Sequence, residues 1–261
     1  MISQKAIDLI VAAEVSSRAY YEKALRHPEW PGGASGVTIG IGYDLGYATA
    51  DKVRKDWGSR VPQHMLAALL DCVGAKGPQA KLVLPHDRMI IDIPWQAAMD
   101  VFMQTDIPEF TAKACRAING ADKLSPDCLG ALVSLTYNRG VSFDNPDERH
   151  TEMRAIKRHI ESGELDKVPG DFRAMKHLWP DMKGLQTRRE AEAKLWEGGL
   201  VNMDNPMPKT APALVGTAVA GTMHASGVPP LATIIIAVIA SLVVGVVIAS
   251  YSAPVLARAK G

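Results

Sequence analysis

Among 261 residues there are only three cysteines, Cys72, Cys115 and Cys128, an odd set without metal-ligand spacing. A chain of this length does not need disulfide staples, so all three are expected to be reduced residues of the interior. The histidines lack partner spacing as well, and neither a metal nor a cofactor is expected. An excess of one charge is also missing. Of the 29 basic residues, Lys209, Arg258 and Lys260 follow Asp204, as do none of the 28 acidic ones, which leaves 26 basic against 28 acidic side chains before that point. No basic face for nucleic acid follows from such a balance. The first residues carry no basic stretch leading into an apolar run, and Asp8 interrupts Ile7, Leu9, Ile10 and Val11, so no conventional signal peptide is expected.

Hydrophobic residues make up 47% of the chain and charged ones 22%, enough to bury a full core. Residues 1–200 alternate helical patterns with Gly and Pro punctuation, and one convincing strand lies at 37–43. Leu66, Leu69, Leu70 and Val73 keep helical spacing before Gly74. A second periodic stretch opens at Pro94-Trp95 and is interrupted at Pro108. The best-marked helix is 126–139, with Ser125 as N-cap, Pro126 at its first position and Gly140 beyond its end. The fold class is therefore α+β, mostly α-helical, with a small β element.

Composition changes near 201. Residues 201–230 are rich in Pro, Ala, Gly and Thr and read as a linker. Leu231 to Tyr251 follows with no charge, and at 1.5 Å per residue it gives about 30 Å of helix, enough to cross a bilayer core. Residues 231–251 are accordingly expected to form a single transmembrane helix, with 252–261 as a short basic tail. Ala237, Ser241, Gly245 and Ala249 recur every four residues, a pattern of small residues that suits weak self-association in lipid.

Two segments of the first 200 residues carry chemistry. Ile7, Ile10, Val11 and Glu14 share one helical face, so Glu14 ends an apolar stripe. A carboxyl against apolar surface resists ionisation and suits a general acid, whereas at a frayed helix end it would only face water. In a strand at 37–43, Val37, Ile39, Ile41 and Tyr43 would face one side, and Thr38, Gly40, Gly42 and Asp44 the other. The second side is a bare strip that a flat polymer such as a sugar chain can approach, or else an edge strand whose glycines permit a bend.

Glu14, Tyr20-Tyr21 and Thr38-Ile39-Gly40-Ile41-Gly42 together resemble the glutamate, aromatic-bearing loop and T-I-G-x-G strand of phage lysozymes of glycoside hydrolase family 24 and of the related bacteriocin pesticin. The stretch Ala131 to Gly140 is similar to the A-L-V-S-x-x-[FY]-N-x-G helix of that family, and Gly184 to Glu192 to its G-L-x-x-R-R-x-x-E segment. The resemblance covers residues 3–200 in the family's order. It implies a lysozyme-like catalytic domain at 1–200 that cleaves the β-1,4 bond between N-acetylmuramic acid and N-acetylglucosamine, with Glu14 as general acid and Thr38 placing the water.

The second carboxylate transfers less simply. Residues 15–37 contain no aspartate, only Glu22 and Glu29, whereas Asp44, six residues beyond Thr38, fits the pesticin-like order. Asp44 is thus expected in this role, with Glu22 as the alternative. Six residues of straight strand would set Thr38 about 20 Å from Asp44, so the chain must bend. Tyr43 and Asn138 are expected to bind substrate, although Asn138 could instead cap backbone. Arg188 and Arg189 are expected in surface or inter-helix ion pairs with Glu190 or Glu192.

The rival activities are a lytic transglycosylase and an inactive peptidoglycan-binding domain. The expected partners are peptidoglycan glycan strands and, through 231–251, the membrane. Arg258 and Lys260 favour a cytoplasmic C-terminus with the catalytic domain outside, while the lack of a signal peptide favours a domain that waits on the cytoplasmic side.

Overall fold

The computed structural model of the chain describes residues 1–204. The expected linker beyond Asp204, the transmembrane helix, its small-residue face and the basic tail lie outside the described residues. Among the described residues no helix is long and apolar enough to cross a membrane.

The chain opens with α1 (Gln4–Val15), α2 (Arg18–Tyr20) and a π-helical turn at Tyr21–Leu25, and then forms a hairpin of β1 (Thr38–Ile39) and β2 (Tyr43–Asp44). Next come α3 (Ala50–Trp57), α4 (Gln63–Asp71), α5 (Pro78–Asp87), α6 (Trp95–Val101), α7 (Ile107–Ala117) and α8 (Pro126–Arg139). The described part closes with α9 (Thr151–Glu161), α10 (Val168–Ala174) and α11 (Lys183–Asp204). This is a mostly helical α+β domain with a two-stranded antiparallel sheet.

Helix α8 is the central element, with every residue from Asp127 to Thr136 buried. It begins as its sequence specifies, because the Ser125 hydroxyl accepts a hydrogen bond from the Cys128 amide and Pro126 occupies a position whose N–H would be unpaired anyway. It ends at Gly140, whose φ of 73° is open to glycine at little cost. Helices α1, α7 and α11 pack around it. The crossing with α1 is close, since a Cβ on Gly130 would stand 2.2 Å from that of Ala6.

Three sequence expectations are corrected here. The strand at 37–43 is a hairpin, because Gly40 (φ 59°) and Gly42 (φ 78°) take left-handed conformations and turn the chain back on itself. Its apolar side is nonetheless the core side, with Val37, Ile39, Ile41 and Tyr43 all buried. The stretch from Trp95 does not stop at Pro108. The helical path continues through a π-helical segment at Phe102–Asp106 into α7, and this segment accommodates the missing proline N–H. Finally, α11 runs past residue 200 to Asp204. Gly199 belongs to this helix because a Cβ there would stand 2.6 Å from Cys128 Sγ, so close packing against α8 requires the glycine. Cys72 and Cys128 are buried free thiols, and Cys115 is half-buried.

Candidate active site

Helix α1 delivers Glu14 to the inside. Ser3 caps its start by accepting from the Ala6 amide, and Ala6, Ile7 and Ile10 fill the core, with Glu14 one turn further along the same face. The helix ends at once, at Ser16. Glu14 is 8% exposed, so it does not fray into water. It does not rest on bare apolar surface either: its Oε1 accepts a hydrogen bond of 2.7 Å from Nη1 of Arg188, which comes from α11. The expected apolar setting is therefore corrected to a buried ionic one.

Arg188 is itself 3% exposed and uses its whole fork. Nη2 donates to the Ser134 carbonyl at 2.9 Å, and Nε lies 3.2 Å from Ser134 Oγ and 3.3 Å from Glu192 Oε1. The Ser134 hydroxyl donates to Glu192 Oε1 at 2.6 Å, and Arg189 Nη2 donates to the same oxygen at 2.7 Å. Two arginine and two glutamate side chains thus share one hydrogen-bonded network in the interior, as buried polar groups must. Burial pulls the Arg188 pKa down, but Glu14 and Glu192 outweigh it and leave the net shift upward. The expected pairing with Glu192 is present, but it is buried; Glu190 instead pairs with Arg173 and Lys176. The partner that sequence reading missed is Glu14. A signal existed: Leu185, Arg188, Glu192 and Trp196 share a face of α11 by spacing, so the charges fall on its apolar stripe.

The hairpin removes the 20 Å difficulty, because Thr38 and Asp44 are direct antiparallel partners. Directly opposed residues carry their side chains on one face, about 4.5–5.5 Å apart at Cβ. The tip of the hairpin is held by Tyr137 of α8, whose hydroxyl donates to the Ile41 carbonyl. Burial, with Asp106 nearby, raises the pKa of this phenol, so it remains a donor. A Cβ on Gly42 would stand 3.5 Å from Glu14 Oε2, which places the carboxyl oxygen not used by Arg188 beside the turn.

Asp44 is held from the other end. Its Oδ1 accepts from the Gly46 amide at 2.8 Å and from the Gly36 amide at 3.1 Å, and Oδ2 lies 3.2 Å from the same Gly36 nitrogen. Burial raises the Asp44 pKa, and the two amides and Lys76 offset part of that rise. Gly36 is obligatory here, since a Cβ would fall 2.4 Å from Asp44 Oδ1.

A cleft of about 530 Å³ runs between the hairpin and the C-terminal end of α8, and Glu14, Thr38, Asp44 and Asn138 all line it. The Asn138 amide caps nothing: its oxygen and nitrogen are buried at the cleft wall without a partner among the described residues. Tyr43 is the exception and its expected substrate contact is corrected. Strand alternation turns the ring into the core, where it is 5% exposed, stacks edge-on against Trp57 and donates to Asp56 Oδ2 at 2.9 Å. Glu22 is not a cleft residue; it is exposed on the π-helical turn and pairs with Arg18 at 2.8 Å.

Fold and site together define a helical α+β domain with a carboxylate-lined cleft. Residues 13–126 match a family described as a domain of unknown function (DUF8812). The matched stretch contains Glu14 and the hairpin but stops where α8 begins, so Ser134, Arg188 and Glu192 lie beyond it. No curated protein matches the chain.

Proposed function

We propose that the chain is a peptidoglycan-cutting muramidase similar to the phage-type lysozymes and pesticin. The observation that carries this reading is the convergence of the three resembling segments on one carboxylate: Ser134, Arg188 and Glu192 together fix Glu14 at the wall of the cleft that Thr38 and Asp44 also line. Arg188 holds Oε1, which leaves Oε2 to hand a proton to the leaving sugar oxygen. Water attacks the anomeric carbon from the other side, placed by the Thr38 hydroxyl and the fixed Asp44 carboxylate. A separation of about 6.5–9.5 Å between acid and base carboxyls, with room for the water, is what an inverting glycosidase requires. The uncharged run at 231–251 would tether this domain to a membrane and bring it near the cell wall.

The test is incubation of the full-length protein with purified peptidoglycan, followed by mass analysis of what is released. Hydrated reducing-end muropeptides are the expected product. Anhydro-muropeptides would show a lytic transglycosylase instead, and sedimentation with the polymer without any release would show a binding domain.

A further inference from the structure

Thr38 has a second neighbour across its other edge. Its amide donates to the Glu29 carbonyl at 2.7 Å, and the Glu29 amide donates to the Thr38 carbonyl at 3.0 Å, so the two residues are direct antiparallel partners. Glu29, Thr38 and Asp44 therefore form one rung across three chain segments, and all three line the cleft. Their positions in the sequence hide this, because the Trp30–Val37 loop is needed to fold residue 29 back beside residue 38.

The two carboxylates of the rung differ in what they already hold. An ionised carboxyl offers about four acceptor positions. Asp44 spends its own on the Gly36 and Gly46 amides, which fasten the base of the hairpin. The Glu29 carboxylate accepts no hydrogen bond among the described residues, and its one ionic neighbour, Arg88 Nη2, stands 3.8 Å away. Its side chain is 32% exposed, within reach of cleft water.

From this contrast we infer that Glu29 is the base that takes the proton of the attacking water, with Asp44 a positioning residue for the hairpin, Thr38 and that water; the inference rests on the muramidase reading. The step balances as follows. A water oxygen forms the new bond to the anomeric carbon and gives one proton to Glu29. The glycosidic C–O bond breaks with its electron pair on the leaving oxygen, which takes the proton of Glu14. Glu14 ends ionised and Glu29 protonated, and exchange with solvent restores both.

The full-length protein and purified peptidoglycan test this. Glu29→Gln should retain its circular dichroism spectrum and its sedimentation with peptidoglycan but release fragments about 10²–10⁴-fold more slowly. Azide, a nucleophile that needs no deprotonation, should restore turnover to Glu29→Ala and yield a glycosyl azide, a product that a merely structural glutamate would not give. Glu29→Gln that cleaves at close to the wild-type rate would overturn the assignment, as would a Glu29→Ala protein that azide leaves inactive. An active wild type with an inactive Glu14→Gln beside either result would show that the base assignment alone has failed. A wild type that releases nothing would remove the muramidase reading and this assignment with it.

Discussion

Arg188 joins two glutamates that are 178 residues apart, and its guanidinium also holds the Ser134 carbonyl. Removing one partner of a buried ion pair leaves the other without compensation, which typically costs about 3–5 kcal/mol. Arg188→Ala should therefore lose about that much in urea unfolding. Arg188→Lys should fold better yet remain poor in turnover, because an ammonium cannot reproduce the fork that meets Glu14, Ser134 and Glu192 together. Equal turnover by wild type and Arg188→Lys would mean that Glu14 needs no such positioning. Asp44→Asn should lower both thermal stability and turnover: its one oxygen can still accept from the Gly46 amide, but the NH2 group in place of Oδ2 would oppose the Gly36 N–H, and the negative charge facing both amides is lost. Glu22→Gln should be near neutral in both, as expected of an exposed residue paired only with Arg18.

The hairpin shows how much could be read from sequence and where that reading ended. Alternation correctly gave the core side of residues 37–43, and the caps of α8 gave its two ends, because both patterns are local. The 40–42 turn was visible only as two glycines, since a left-handed φ is a property of the folded backbone. The rung of Glu29, Thr38 and Asp44 depends on long-range closure, which no spacing encodes; the spacing of α11 marks Arg188 as a buried charge but does not name Glu14 as its partner. Tyr43 was misplaced among the substrate contacts because its position in the motif outweighed its place on the core side. The turn also makes a prediction of its own. A left-handed conformation costs a non-glycine residue about 1–2 kcal/mol, so Gly42→Ala and Gly120→Ala should lose similar stability, both having positive φ. Only Gly42→Ala should also lose turnover, because its methyl group would lie against Tyr137 and Glu14, whereas nothing stands within 4 Å of a Cβ on Gly120. Parallel losses of turnover in the two variants would detach the hairpin from the chemistry.

Across the whole domain, carboxyl groups are buried at two places with different surroundings. The Glu14 network is hydrogen-bonded to its own arginines, while behind the hairpin burial pushes the Asp106 carboxyl up to about 7, with Lys52 opposing and Asp56 adding to the rise. A carboxyl whose folded pKa is raised favours folding below its unfolded pKa, and this contribution is lost as pH rises from about 4 through about 7. Asp106→Asn should therefore flatten the stability profile over that window and raise the melting temperature at pH 8; an unchanged profile would assign the acid dependence elsewhere. The central claim, that Glu14 is the proton donor of a glycosidase cleft, is tested most directly by the rate at which Glu14→Gln releases fragments from purified peptidoglycan, with circular dichroism as the folding control. Glutamine keeps an acceptor for Arg188 but has no proton to give, so a folded protein with turnover reduced about 10²–10⁴-fold is the expected result. Folded Glu14→Gln that cuts peptidoglycan at the wild-type rate would contradict the account.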